Sequence, residues 1–211
     1  MRWFFYNILF AIAYTIMLPK FFIRMKKRGG YRANFHERFG KFSPEVEKRL
    51  GEKKRIWIHA VSVGEANLAG NVIRELRERI PGVSFIISTT SSTGRAVCEG
   101  LAQQDDVVIY LPVDFPGNSR RSLPKINFDT FILTESEFRP NIIRAMKKQG
   151  KKLFLVNGRV SDKSAPNYKR LKYFFGPVFD CFTLMLVQGE LDKQRLIAAG
   201  AKEEKIKVMG S

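Results

Sequence analysis

Arg55-Ile56-Trp57-Ile58-His59-Ala60-Val61-Ser62-Val63-Gly64-Glu65 is the stretch whose reading decides the fold. A β-rich run ends at His59. A helical pattern follows, with apolar residues at Ala69, Val72, Ile73, Leu76 and Ile80, the spacing of a one-sided helix. Glu65 therefore falls at the carboxyl end of a strand and in the first turn of a helix. In open α/β sheets that edge is where ligands bind. A carboxylate there reads as a general base or a ligand-orienting group, or as no more than a favourable charge on the helix dipole. Spacing alone leaves these readings open. A nucleophile elbow centred on Ser62 is excluded, because that arrangement needs a downstream His and both histidines, His36 and His59, lie upstream.

Outward from this turn the same alternation recurs. Strand-like runs fall at 56–59, 83–88, 107–111, 130–134, 153–157, 184–188 and 206–209, and helical patterns at 94–103, 140–148, 165–175 and 190–199. Such alternation means βαβ units, so a Rossmann-like, mainly parallel sheet with helices on both faces is predicted. No strand-to-helix turn carries a G-x-G-x-x-G or G-x-x-x-x-G-K-[ST] phosphate cradle, so nucleotide binding by this part of the fold is not supported.

The 45% hydrophobic content suffices for a core, and the 37 Lys+Arg against 20 Asp+Glu favour anionic partners. The excess concentrates between residues 20 and 41, where Glu37 is the one acidic side chain. Cys98 and Cys181 match no metal spacing and read as small buried hydrophobes, so no metal site is expected. A nucleic-acid partner rests on net charge alone, without a binding motif, and is not expected. Trp3 to Pro19 is an uncharged apolar run followed by Lys20, Arg24, Lys26, Lys27 and Arg28. It predicts a membrane helix, with anionic lipids at its flank and the remaining chain on the cytoplasmic side. A helix lying in the interface is the alternative. The organisation read from sequence is thus an anchor with its basic flank (1–28), a basic connector (29–54) containing Gly29-Gly30 and Glu37-Arg38-Phe39-Gly40, and an α/β domain (55–211).

Further strand ends carry polar clusters: Ser88-Thr89-Thr90-Ser91-Ser92-Thr93-Gly94, Glu135-Ser136-Glu137 and Asn157-Gly158-Arg159-Val160-Ser161. In a parallel sheet these exits share one edge, so Glu65, Thr89, Glu135, Glu137 and Arg159 can line one cleft, with Arg159 compensating the paired carboxylates. Ser62 reads as a hydrogen-bonding group of the turn.

His59 to Glu65, Ser88 to Gly94, Tyr110-Leu111-Pro112-Val113-Asp114, Glu135 to Asn141 and Asn157 to Ser161 together resemble the N-terminal half of 3-deoxy-D-manno-octulosonic acid (Kdo) transferases. The resemblance implies a GT-B fold and an inverting, metal- and cofactor-independent transfer of Kdo from CMP-Kdo to a lipid A precursor in lipopolysaccharide synthesis. It implies the inner membrane, cytoplasmic face, as location. It makes Glu65 the general base and maps the family's acidic residues onto Glu135 and Glu137; together with Ser62, Thr89, Thr90 and Arg159, read from the strand ends, these are the expected acceptor-side residues. The chain departs from the family's E-T-E-L-W-P-N stretch at Ser136, Phe138 and Arg139. It ends Val208-Met209-Gly210-Ser211, where the family enters its CMP-sugar domain, so residues 1–211 alone are expected not to transfer Kdo. The alternative function is a catalytically inactive lipid-A-binding or membrane-docking remnant.

Overall fold

The computed structural model describes residues 2–28 and 33–210, with the side chains of Phe22 and residues 24–28 outside the description. The cationic side chains Arg24, Lys26, Lys27 and Arg28, and the Gly29-Gly30 turn, therefore lie outside the described residues.

A seven-stranded sheet in the order β3-β2-β1-β4-β5-β6-β7 forms the centre. Its strands are β1 (Arg55–His59), β2 (Phe85–Thr89), β3 (Val107–Tyr110), β4 (Phe128–Thr134), β5 (Lys152–Gly158), β6 (Leu184–Val187) and β7 (Ile206–Val208). Every neighbouring pair is parallel. Adjacent residues of one strand face opposite sides of a sheet, and here each side has its own core. Trp57, Ile86, Phe131 and Leu133 join one cluster, while Ile58, Phe85, Ile87 and Ile132 join the other. The second cluster is closed by α3 (Val63–Arg79) and α4 (Ser92–Leu101) through Ala66, Ala69, Ile73 and Cys98. The first is closed by α2 (Pro44–Glu52), α6 (Pro140–Lys148), α8 (Lys172–Phe179) and α9 (Glu190–Ala198), through Leu50, Ile142, Met146, Phe179 and Leu196. Helices thus cover both faces, as the alternation predicts. Trp57 is fully buried edge-on to Phe128 and Phe131 and donates its indole N–H to Ser88 Oγ at 2.7 Å.

Differences from the sequence reading lie between the strands. The connector is structured: Phe35–Phe39 forms a 3-10 helix, α2 follows with Ser43 as its N-cap, and Phe42 and Leu50 enter the core. The helix read over 165–175 is two, α7 (Ala165–Arg170) and α8, broken at Leu171. A short helix α5 (Pro116–Ser122) was invisible to apolar periodicity, because Asn118, Ser119 and Ser122 are polar yet buried. Both cysteines are free and buried, and burial pushes the Cys98 thiol up to about 11.

The first helix, α1 (Arg2–Arg28), is the one long and apolar enough to cross a membrane by length and composition among the described residues. One of its faces is docked on the domain. Tyr6 donates to Asp114 Oδ2 at 2.8 Å, Asn7 Oδ1 accepts from Asn141 Nδ2 at 2.8 Å, and Trp3 and Phe10 pack against Phe174 and Phe115. Its other face exposes Phe4, Phe5, Ile8, Leu9, Ile12 and Ile16. It is thus a helix with one face docked on the domain and the other exposed.

Candidate active site

The strand order reverses at β1, whose neighbours are β2 and β4. Crevices at such a switch point, beyond the carboxyl ends of the strands, are the binding places of doubly wound sheets. The turn after β1 delivers Glu65 there, the turn after β4 delivers Glu135, Ser136 and Glu137, and the flanking turns deliver Thr89 to Ser92 and Asn157 to Arg159.

The β1–α3 turn is a serine-capped helix start. Ser62 Oγ accepts from the Glu65 N–H at 3.3 Å, and Glu65 Oε2 folds back to accept from the Val61 N–H at 2.8 Å. This resembles a capping box shifted by one residue, so the capping role weighed from sequence is present. Glu65 is only 8% exposed. Burial pushes its carboxyl above the ordinary value, the Val61 and Ser62 hydrogen bonds pull it down, and Glu135 and Glu137 push it up again. The direction is opposite to what the helix dipole alone predicts, because desolvation and two like charges outweigh it. The parallel pairing of β1 and β4 puts the carboxylates that follow them at one edge of the sheet. A raised carboxyl pKa in a protected position suits proton abstraction near neutral pH.

The carbonyl of Val61 is the link to the next turn, accepting from Thr89 Oγ1 at 3.4 Å and Ser91 Oγ at 3.3 Å. Thr89 is fully buried and used in this contact. It shapes the turn, whereas Thr90 lines the open space. Ser91 caps α4, accepting from Gly94 N–H at 3.0 Å. A Cβ on Gly94 would stand 2.5 Å from Thr89 Oγ1, so the two turns meet at a position open only to glycine.

Beyond β4 and β5 the chain adopts left-handed conformations at two non-glycine residues, Glu135 (φ 63°) and Asn157 (φ 59°). Such residues concentrate at functional sites. The two exits are stitched together, with Arg159 N–H donating to Ser136 Oγ at 3.0 Å. Arg159 is exposed and joins Glu135, Glu137 and Tyr168 around an open cavity of about 450 Å³. The cation paired with Glu137 is not Arg159, as read from sequence, but Arg139. The sequence offers both cations, and Arg139, two residues along, needs no loop crossing to reach Glu137. A second cavity of about 440 Å³ contacts Thr90, Glu137, Arg139 and the inner face of α1. These two cavities share Glu137, and Glu65 is not among the side chains lining either.

Two groups escaped the sequence reading. Arg38, from the 3-10 helix, is 6% exposed, lines the second cavity and donates to the Thr90 carbonyl at 2.6 Å. Its neighbour Glu37 is buried on Arg95 and the Tyr110 N–H, both at 2.7 Å. The usable signal was the acidic-basic pair inside Glu37-Arg38-Phe39-Gly40, which reads as a turn but supplies buried charges to the site. Asp114, also fully buried, accepts from the N–H groups of Asn141 and Ile142 at the start of α6 at 3.1 and 2.9 Å. Burial nevertheless pushes its carboxyl up to about 6. His59 is buried beneath the site, and desolvation, with Arg139 nearby, holds it neutral, at about 3.

Comparison with known proteins agrees with this architecture. A family model described as 3-Deoxy-D-manno-octulosonic-acid transferase (kdotransferase) matches residues 33–211. A bifunctional glycosyltransferase/methyltransferase of Fusobacterium nucleatum is 31% identical over 98% of this chain and 31% of its own length. A 3-deoxy-D-manno-octulosonic acid transferase of Chlamydia pneumoniae is 29% identical over 98% of the chain, which spans 47% of that relative. Among solved structures, a UDP-GlcNAc 2-epimerase from Neisseria meningitidis superposes with a TM-score of 0.52 at 13% identity, covering 75% of this chain and 47% of that one, a likeness of fold. Five sequence motifs gathered at one sheet edge, a parallel sheet of GT-B type and a family match over most of the length lead to one conclusion: the chain belongs to the Kdo transferase family and corresponds to its N-terminal domain.

Proposed function

We propose that this chain is the acceptor-side half of an inverting Kdo transferase, which moves Kdo from CMP-Kdo to a lipid A precursor, with Glu65 as general base. The observation that carries the reading is Glu65 at the switch point, protected, raised in pKa and facing the field of Glu135 and Glu137. One carboxylate oxygen is held by the Val61 N–H. That contact orients the group and leaves the other oxygen to take a proton from the acceptor hydroxyl as it attacks the anomeric carbon. Glu135, Glu137, Arg159 and Thr90 offer acceptors, a cation and a hydroxyl to a sugar. The CMP-Kdo side is assigned to the portion of the relatives that this chain does not span, and residues 1–211 alone are not expected to turn over. A chimera joining residues 1–211 to the donor half of a Kdo transferase is expected to transfer Kdo to the acceptor. A folded chimera that binds CMP-Kdo and transfers nothing overturns the reading in favour of an inactive lipid-A-binding remnant.

The same reading puts the protein on the cytoplasmic face of the inner membrane. The exposed stripe of α1 supports a helix lying in the interface, since the opposite face is held on the domain from Trp3 to Phe115 contacts onward. Changing Ile8, Leu9 and Ile12 together to Ser leaves the docked face untouched and is expected to move the protein from the membrane to the soluble fraction. Unchanged partition of that variant rejects interfacial binding through this stripe.

A further inference from the structure

The docked helix does more than lie against the domain: it walls a groove. Phe10, Ala13, Tyr14, Met17, Leu18 and Phe21 supply one side of the 440 Å³ cavity, and Leu111 and Val113 continue the apolar lining from the turn after β3. From Phe10 to Phe21 the axis advances about 16 Å, so the groove is an elongated apolar slot. At its other side stand Arg38 and the Arg139–Glu137 ion pair, with the hydroxyls of Ser91 and Ser92 at the start of α4.

Arg38 is the informative residue. Arg38 is buried and makes no ion pair among the described residues; its guanidinium rests over the Tyr110 ring at 3.9 Å. Its Nε has no hydrogen-bond partner, and the Nε of Arg139 has none either. Buried cations are ordinarily paired, because removing a charge from water is costly without a partner. Arg139 is ion-paired with Glu137, which also lines the cavity, so Arg38 is the cation left without a carboxylate; its unmet donor calls for an anion, and guanidinium forks match phosphate geometry. The first turn of α4 carries no acidic residue to oppose one.

We infer that this cavity is a subsite for a phosphorylated, acylated ligand, with a phosphate on Arg38 and an acyl chain in the slot beside Ala13. Resting on the acceptor reading above, the occupant is the phosphorylated, acylated acceptor itself, and α1 is part of its binding site as well as a membrane contact. Charge complementarity selects an anionic head, and the adjoining slot, of a volume within the roughly 300–1,000 Å³ of small-molecule sites, selects an attached chain.

The test is titration calorimetry of the full chain with decyl phosphate below its micellar range, beside decanol and inorganic phosphate. Decyl phosphate is expected to bind at least about tenfold more tightly than either half-probe, since charge-assisted hydrogen bonds add to chain burial. Ala13→Trp fills the slot at an exposed helix position and is expected to lose about tenfold or more with an unchanged melting temperature. Arg38→Gln is expected to lose decyl phosphate binding by about 10–100-fold and to leave decanol binding as it was. The bisphosphorylated acylated disaccharide is expected to displace decyl phosphate, and phosphatidylglycerol at equal concentration is not. Undiminished binding by folded Ala13→Trp overturns the slot. Displacement by phosphatidylglycerol as readily as by the disaccharide overturns the assignment to the acceptor and makes this a bulk-lipid site. Kdo transfer by the chimera depends on Glu65 and is read separately, so this inference and the transferase reading fail by different results.

Discussion

The turns after β1 and β2 are built alike and finished differently. In each, a serine with φ −112° caps a helix and accepts from the N–H three residues on, Ser62 from Glu65 and Ser91 from Gly94. In the first turn that third position is a carboxylate that folds back on Val61. In the second it is a glycine pressed against Thr89, and the helix start faces Arg38 and Arg139 across a cavity. One cap thus carries its own negative charge, suited to removing a proton. The other is left electropositive, suited to receiving an anion. The identity of a single residue per turn sets the chemistry, while the backbone stays the same.

Removing the charge from the first turn is the strongest way to break that contrast. Glu65→Gln keeps the acceptor for the Val61 N–H and loses basicity, so in a chimera with a donor domain turnover is expected to fall by about 10²–10⁴. The urea midpoint should move little, and turnover close to the parent's returns Glu65 to a capping role. The second-largest effect belongs to the neighbouring glycine. Gly94→Ala forces a Cβ to 2.5 Å from Thr89 Oγ1 and 2.8 Å from Ser91 Oγ. A loss of about 1–3 kcal/mol by urea unfolding is expected, in the range of overpacking. Gly64→Ala, one position before the corresponding site in the first turn, meets nothing nearer than Ser62 Oγ at 3.9 Å and is expected to be neutral or to gain about 0.5 kcal/mol. Equal effects at the two glycines would show that the turns are not distinguished by packing.

How far could this be read from residues alone? All seven strands were legible, because their apolar runs are bounded by turn chemistry and separated by helical periodicity. Glu65 and Glu135 were legible because strand exits in a parallel sheet share an edge. What stayed hidden was side-chain direction within a cluster. Thr89 and Thr90 are indistinguishable in sequence, yet one is sealed against Val61 and the other faces a cavity. Arg38 was hidden because a basic stretch reads as a solvated face, and only tertiary packing puts its guanidinium over Tyr110. α5 was hidden because its buried residues are polar.

A third strand exit sharpens the comparison through pH. Asp114, after β3, is ionisable and buried, with its carboxyl pushed up to about 6 from an ordinary 3.8. A carboxyl whose folded value is raised binds protons more tightly in the native state, so its contribution to stability grows as pH falls through about 6 and is complete below 3.8. The urea midpoint is expected to rise from pH 7 to pH 5 relative to Asp114→Asn, in which this slope disappears. A parent and variant with parallel profiles would remove Asp114 as the cause. The caps themselves are expected to have modest effects. Ser62→Ala and Ser91→Ala should each cost about 1 kcal/mol. Ser91 is expected to cost the more, because its hydroxyl also holds the Val61 carbonyl. The reverse order would mean that the link between the turns is not energetically significant.

The docking of α1 also has a consequence in time. The helix leaves the ribosome before the domain it docks on, but Tyr6 finds Asp114 only 108 residues later, and Arg2 finds the Tyr173 carbonyl 171 residues later. At about 5–20 residues per second, its first polar partner is on the order of ten seconds away when the helix emerges. For that interval the helix's Trp3, Tyr6 and Phe10 await Phe174, Asp114 and Phe115, their partners in the finished fold. Its surroundings during synthesis, and not the finished domain, therefore have the first opportunity to cover it, and the outer stripe keeps that contact available after the inner face has closed.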